Sequence, residues 1–441
     1  MPDPLPQRLL ANLQPWLSAP GFWVALSGGL DSTVLLHLLV ALRREHRLPP
    51  IRAVHVHHGL QQAAEDWVAH CARLCAALDV ELAVERVNVR TGASLEAQAR
   101  AARYEALAKH LEAGEVLLTA QHRDDQAETV LYRLVRGSGL RGLCGMAPSR
   151  PFSCGVLLRP LLDVTRAELE RYARAHRLDW IDDPSNLDTD LSRNLLRRTV
   201  LPALQARWPQ APAAIARAAD HLREADGLLG DLAELDLAQA RGGSPLPWLD
   251  VPSLALAPLR ALSEARQRNA LRHWLAAFSR MPDSAHWAGW ACLRDAAVDR
   301  NPVWGLEGGE LQRSRDRVWF VPRAWLIPAV APVTWHDPAR ELDLPGNGRV
   351  APVSKLLNGD LNADLNIRYR VGGETLLLPG RGRRDLKRLL SERGWPPFLR
   401  ARIPLLYRGD ELIAVANLTN DETGHPVLRW SPDRRESGLS W

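Results

Sequence analysis

Cysteine is scarce, with five in 441 residues. Cys71, Cys75, Cys144, Cys154 and Cys292 are an odd number with no pair at metal-ligand or redox-motif spacing, which argues against a disulfide scaffold or a cysteine-built metal or redox centre. They are expected to be reduced and mostly buried. No run approaches eighteen uncharged apolar residues, so no membrane span is predicted. The N-terminus lacks a basic segment leading into an apolar one, so no signal peptide is expected and the protein reads as cytoplasmic. Charge of one sign is also limited: an excess of +5 is small for this length, so the placement of basic residues matters more than their sum. No internal repeat is visible, and no heptad is legible that would set an oligomeric state.

What is present is a globular composition, 46% hydrophobic and 24% charged, with neither disorder nor membrane character. The length exceeds the usual limit of a single core, so two or three domains are expected. Up to about Gly114, β-prone runs (Val24 to Leu26, Ile51 to His55, Leu82 to Val89, then Val116 to Ala120) alternate with helical patterns (Ser32 to Glu45, Ala63 to Ala77, Leu95 to Leu111). That order predicts an α/β domain with a doubly wound parallel sheet, whose ligands sit beyond the carboxyl ends of the strands. Asp163 to His176 reads as a further helix with Thr165 as N-cap and Glu168 completing a capping box. Trp208-Pro209 and Ala211-Pro212 interrupt the pattern before a long helical stretch from Ala213 to about Arg241. The chain is therefore expected to divide into a catalytic domain over 1–208, a mainly helical middle domain over 209–325 ending in a β-like Arg317 to Phe320, and a small α/β domain over 340–441. Most tryptophans of the middle domain are expected in its core, with base stacking as the alternative.

The most informative segment runs from Phe22 to Leu39. An apolar β-prone run stops at Ser27-Gly28-Gly29, and an apolar run of helical period starts after Asp31-Ser32. Such a loop suits phosphate: Gly28 and Gly29 can turn successive N–H groups to one side, Ser27 and Ser32 add hydroxyl donors, and the helix start adds positive charge. No Walker lysine follows. Gly137-Ser138-Gly139-Leu140-Arg141-Gly142 matches a dinucleotide fingerprint in form but follows a helix, so it reads as a flexible substrate-contacting loop. The form Ser-Gly-Gly-x-Asp-Ser resembles the pyrophosphate-binding loop of the ATP pyrophosphatase superfamily, whose members split ATP into AMP and pyrophosphate while adenylating a substrate.

Two more clusters fall at strand ends. His55-Val56-His57-His58-Gly59-Leu60 can contact adenine or phosphate, or fill a polar turn. His122-Arg123-Asp124-Asp125-Gln126-Ala127-Glu128-Thr129 follows an apolar strand and enters a helix, which puts Asp124, Asp125 and Glu128 within about one turn. Acids crowded beside a phosphate loop need a cation, and Mg²⁺, which takes carboxylate oxygens and keeps waters, meets that need.

The ordered set of motifs resembles the tRNA(Ile)-lysidine synthase family over nearly the whole chain. It comprises Ser27 to Ser32, His55 to Leu60, Gln98-Ala99-Arg100-Ala101-Ala102-Arg103-Tyr104, His122 to Thr129, Arg136 to Gly142, Arg159-Pro160-Leu161-Leu162, Asp183-Pro184-Ser185-Asn186 and Arg193-Asn194-Leu195-Leu196-Arg197. His57 stands where the family usually has Asn. The resemblance implies a ligase that adenylates the first anticodon cytidine of an isoleucine tRNA bearing CAU, then joins free lysine to it. It implies ATP-binding by Ser27, Gly28, Gly29, Leu30, Asp31, Ser32 and His55, and Mg²⁺ contacts from Asp31 and Asp125. Asp31, Asp125, Glu128 and Arg193 are the catalytic candidates. Asp124, Glu128, His122, Arg100 and Arg103 are candidates for the lysine or cytidine pocket, and Arg197 for tRNA. A basic cluster, Arg381, Arg383, Arg384, Lys387, Arg388 and Arg393, suits a phosphate track, with Arg384, Lys387 and Arg388 expected on one helical face. No protein partner is expected.

Two rivals remain from the residues. A related adenylating enzyme such as a tRNA thiolase needs reactive cysteines, whereas Cys71 and Cys75 lie in a helical pattern and look structural. A catalytically silent tRNA-binding protein predicts loss of Asp31 or of the acidic cluster, and both are present.

Overall fold

The computed structural model describes residues 4–57, 64–87, 95–182, 192–280, 284–297, 300–328, 331–352, 365–378, 382–418 and 426–432. The chain forms two compact units, Met1–Gly227 and Leu228–Trp441. Among the described residues no helix is long and apolar enough to cross a membrane.

The first unit is built on a six-stranded sheet of β1 (Phe22–Ala25), β2 (Ile51–His57), β3 (Glu81–Arg86), β4 (Val116–Leu118), β5 (Ser149–Phe152) and β6 (Gly155–Leu158). The spatial order is β3-β2-β1-β4-β6-β5. The pairs β1–β2, β1–β4, β2–β3 and β4–β6 are parallel, as expected, while β5 and β6 form an antiparallel edge hairpin. Alternation along the strands divides the core: Phe22 and Val24 of β1 face one layer, and Trp23 faces the other with Leu107, Leu117 and Leu157. The Leu30–Glu45 helix buries Val34, Leu35, Leu36, Leu38 and Leu39. It is apolar on most sides because the N-terminal helix Leu5–Leu13 covers it through Leu5, Leu9 and Leu13, a helix spaced at i, i+4 that the sequence reading did not pick out. Strand order reverses between β1 and β4, so the loops after those strands flank one crevice.

The expected capping box is formed: Thr165 Oγ1 accepts from the Glu168 N–H, and Glu168 accepts from the Thr165 N–H, at the start of Arg166–Ala175. A second box, not foreseen, starts Arg123–Val135, with His122 as N-cap and Asp125 as its partner. The glycine loop decoy follows that helix, and Leu140–Leu143 is a short helical turn.

In the second unit, the long helix expected from Ala213 begins at Ala211 and runs to Arg241, so the unit boundary falls inside it. Arg317–Pro322 is the expected strand, but it sits in a four-stranded sheet with Ser253–Ala255, Gly309–Ser314 and Val303–Leu306. Polar residues disguise these strands: Gly309–Ser314 alternates buried and half-buried positions, and one inward residue is Arg313. Its guanidinium donates to the carbonyls of Leu293 and Arg294 at 3.2 Å, closing the end of the Ala288–Asp295 helix. Leu246, Leu249, Val251, Trp319 and Trp325 share one core with Trp335, Trp395 and Trp430. Among the described residues the C-terminal segment is strand-rich, with two short helices, Leu386–Glu392 and Pro397–Arg400.

The shared helical face expected for Arg384, Lys387 and Arg388 does not form. Arg384 lies on the exposed strand Gly382–Asp385, because Asp385 takes the N-cap position and accepts from the Arg388 N–H at 2.7 Å, so that the helix starts after it. Arg383 shares that exposed strand, Lys387 and Arg388 are on the helix, and Arg381 lies outside the described residues.

Candidate active site

The loop after β1 is closed on itself by hydroxyls. Ser32 Oγ accepts from the Ser27 N–H at 3.1 Å and lies 3.0 Å from Ser27 Oγ, while Ser27 Oγ accepts from the Gly29 N–H at 3.3 Å. Gly28 has φ +84°, and its carbonyl accepts from the Ile181 N–H at 2.9 Å. A Cβ at Gly28 would lie 3.1 Å from Cys71 Sγ and from Ile181 Cδ1. Backbone angle and crowding both demand glycine here. Gly28→Ala is expected to cost about 1–2 kcal/mol through its left-handed backbone and to raise the KM for ATP severalfold, measured by thermal denaturation and initial rates. An unchanged KM would mean that the loop does not hold the nucleotide.

A cleft of about 530 Å³ opens above this loop, within the size range of small-ligand sites. Ser27, Gly29, Leu30, Asp31 and Ser32 form its floor; His55 and His57 come from β2, Arg100 and Arg103 from Leu95–Ala108, and Asp125, Arg166 and Arg197 from the far side. Gly28, His122, Asp124, Glu128 and Arg193 are not on its wall. They act from behind, or not at all.

His122 is buried and links the acids. Its Nδ1 accepts from the Asp125 N–H at 3.4 Å, and its Nε2 faces Asp31 Oδ2 at 3.7 Å and Asp125 Oδ2 at 3.5 Å. Asp31 is the tensest member. Burial raises its pKa and the Asp125 charge adds to this, against the pull of His122, Arg166 and Arg197. Its buried Oδ1 makes no hydrogen bond among the described residues. Glu128 is buried behind Asp125. Burial raises its pKa too, opposed by Arg197, whose Nε donates to Oε1 at 2.6 Å and whose Nη2 donates to Asp125 Oδ1 at 2.8 Å. Arg197, expected at the tRNA, thus lies among the acids. Arg193 donates to Thr129 Oγ1 at 3.1 Å, one bond removed from the Asp125 carbonyl that Thr129 contacts at 2.7 Å.

Asp124 points elsewhere than its neighbours: its Oδ2 accepts from the Arg166 backbone N–H at 2.9 Å. Arg166 is a charged cleft residue that the sequence reading missed, as is Asp182. Arg166 follows a correctly predicted N-cap, but nothing local says that the Arg166–Ala175 helix starts beside the phosphate loop. His55 Nδ1 donates to the Leu26 carbonyl at 2.8 Å, and burial lowers its pKa, so the ring is held neutral and its other nitrogen is left to accept. Burial likewise lowers the pKa of Arg103, with help from the neighbouring charge of Arg100, which packs over the Tyr104 ring at 5.0 Å. His58 to Leu60 and Asp183 to Asn186 lie outside the described residues.

Asp31 and Asp125 on the wall, the former with an unpartnered buried oxygen, fit a hard cation that keeps waters and phosphate oxygens. Among the described residues no group of three or more His, Cys, Asp or Glu is placed to hold a metal by itself. All five cysteines are free, with Cys71, Cys75 and Cys144 buried. Burial pushes Cys71 up to about 12 and Cys75 to about 11, so neither supplies the thiolate that a thiolase would need.

A parallel sheet with a hydroxyl-braced glycine loop at its reversal point and paired acids opposite defines a PP-loop nucleotide-binding protein, and the profile of the PP-loop domain matches residues 4–204. Residues 254–319 match the TilS substrate binding domain, and residues 365–432 match the TilS substrate C-terminal domain. The tRNA(Ile)-lysidine synthase of Pseudomonas aeruginosa is 57% identical, over 99% of this chain and 99% of its own. Those of Pseudomonas fluorescens (54%, covering 99% and 98%) and Shigella flexneri (41%, covering 91% and 92%) are similar along most of their lengths. The chain belongs to the tRNA(Ile)-lysidine synthase family.

Proposed function

We propose that this chain ligates lysine to the first anticodon cytidine of an isoleucine tRNA with a CAU anticodon, forming lysidine and releasing AMP and pyrophosphate. The observation that carries the reading is a cleft whose floor is the phosphate loop, Asp31 included, with Asp125 on the far side. In the first step the carbonyl oxygen on ring carbon 2 attacks the α-phosphorus of ATP and pyrophosphate leaves. In the second, the ε-amine of lysine attacks carbon 2, AMP leaves with the carbon–oxygen bond pair, and the amine gives up a proton. A carbonyl oxygen leaves poorly until adenylated, which is why ATP must be held and aligned first.

Ser27, Gly29, Leu30 and Ser32 would cradle the pyrophosphate end, with Gly28 setting the turn, and His55 would accept from the adenine side. Asp31 and Asp125 would hold Mg²⁺, which when bound screens the phosphate charges. Glu128, buried behind Asp125 with both oxygens on Arg197, is proposed to serve the lysine pocket indirectly, by holding that guanidinium against the acids; Arg193 steadies the Asp125 turn through Thr129. Arg100 and Arg103 offer planar donors to the cytosine edge or its phosphates. Asp124 is proposed as a support for Arg166 instead of a pocket acid.

The parts 1–208, 209–325 and 340–441 would act as catalytic, connecting and tRNA-holding regions, in a cytoplasmic setting. Arg383, Arg384, Lys387 and Arg388 are exposed and supply the phosphate track. Replacing Arg384 and Lys387 with Glu is expected to weaken tRNA binding and lower its salt slope by about one to two, with ATP binding kept. Unchanged affinity across a salt series would remove this strand and helix from the footprint. The function itself is tested by transfer of labelled lysine to a CAU isoleucine tRNA transcript with ATP and Mg²⁺. Label transfer that needs ATP and yields AMP is the expected result. AMP formation with tRNA but no label would point to another nucleophile.

A further inference from the structure

Arg166 stands at the phosphate end of the cleft with donors to spare. Its Nη1 is 3.8 Å from Asp31 Oδ2, too far for a hydrogen bond, and its Nε donates to Glu170 Oε1 at 3.2 Å. Its terminal nitrogens make no hydrogen bond among the described residues. The guanidinium is therefore anchored at one edge and open at the other, on the wall of a cleft whose floor is the phosphate loop.

Its aim is set from the acid-bearing helix. The Arg123 N–H donates to the Val164 carbonyl at 2.7 Å, His122 bridges Leu161, and Asp124 Oδ2 takes the Arg166 N–H at 2.9 Å. The starts of Arg123–Val135 and Arg166–Ala175 are thereby clamped side by side. Thr165 and Glu168 already satisfy each other, so the Arg166 amide depends on Asp124.

We propose that Arg166 binds the β- and γ-phosphates of ATP and then the departing pyrophosphate, and that Asp124 is its positioning residue. This rests on the nucleotide reading of the cleft given above. As the cytidine oxygen bonds to the α-phosphorus, the α–β anhydride breaks and its electron pair passes to pyrophosphate, which gains a full negative charge. A guanidinium whose two terminal nitrogens are free to donate meets the new charge with paired bonds, which a single ammonium cannot do. The same contact would hold pyrophosphate as a product.

The test is calorimetric titration of ATP and of AMP, each with Mg²⁺, into the full chain and its variants, with inhibition by pyrophosphate measured alongside. Arg166→Gln is expected to weaken ATP and pyrophosphate about tenfold or more while AMP stays within about twofold, since AMP lacks the phosphates concerned. Asp124→Ala should reproduce that ATP-selective loss. Asp124→Asn, which keeps an acceptor for the Arg166 amide, should restore most of it. The double variant Asp124→Ala/Arg166→Gln should be no worse for ATP than Arg166→Gln alone. Equal losses for ATP and AMP, or no loss, overturn the role of Arg166; additive losses in the double variant overturn that of Asp124. A wild-type chain that binds neither nucleotide overturns the cleft reading beneath both, and is told apart from those outcomes by the unmodified protein alone.

Discussion

Asp31→Asn is expected to lower ATP-dependent lysine transfer by on the order of a hundredfold or more, as removal of one preorganised charge partner does in other sites, while the melting temperature holds or rises. The two halves of this result have one cause. Asp31 is mostly buried, its Oδ1 has no hydrogen-bond partner among the described residues, and burial pushes its carboxyl toward the neutral form. A charge kept there weakens the fold, so neutralising it relieves a cost. The same charge is what the cation and the phosphates need. Rates measured beside thermal denaturation decide the matter: intact lysine transfer would remove Asp31 from the chemistry. A fall in activity matched by a fall in melting temperature would make it a folding residue instead.

The second large effect concerns Arg197. Arg197→Ala strips Glu128 of two contacts, at 2.6 and 3.1 Å, and Asp125 of one at 2.8 Å. Breaking a fully buried pair costs several kcal/mol because the remaining charge has no partner. The Arg197 side chain is 34% exposed against 2% for Glu128, so water reaches one side and the cost falls to about 2 kcal/mol. Thermal denaturation should show a drop of about 4–8 °C for a unit of this size. Arg197→Ala/Glu128→Gln should recover most of it, because the buried charge is then gone. A double variant as unstable as Arg197→Ala alone would show that the arginine stabilises by packing, not by neutralising Glu128. Neither variant should transfer lysine at the wild-type rate.

Much of the first unit was legible because its signals are local. The glycine loop, the Thr165 capping box and the apolar runs of β1 and β4 each follow from neighbouring residues, and the structure places them where the spacing puts them. The second unit was less legible. Gly309–Ser314 carries Glu, Gln, Arg and Ser, and its inward Arg313 is satisfied by carbonyls of a helix far off in sequence. The Arg384, Lys387 and Arg388 face failed for a smaller reason, since one capping aspartate shifts the helix start past Arg384.

The sequence by itself determined that a phosphate-holding loop opens a helix after the first strand, that three acids share a turn after the fourth, and that the motifs fall in one order. These are short-range facts of period, capping and residue chemistry. The tertiary structure alone decided which acids reach the cleft: Asp125 lines it, Glu128 is covered by Arg197, and Asp124 turns away to hold the Arg166 amide. Asp124 and Asp125 are adjacent in sequence and differ in task because successive helix positions point about 100° apart. Which of them meets a strand end and which meets another helix depends on the order of strands in the sheet, and that order is set by packing across the whole domain.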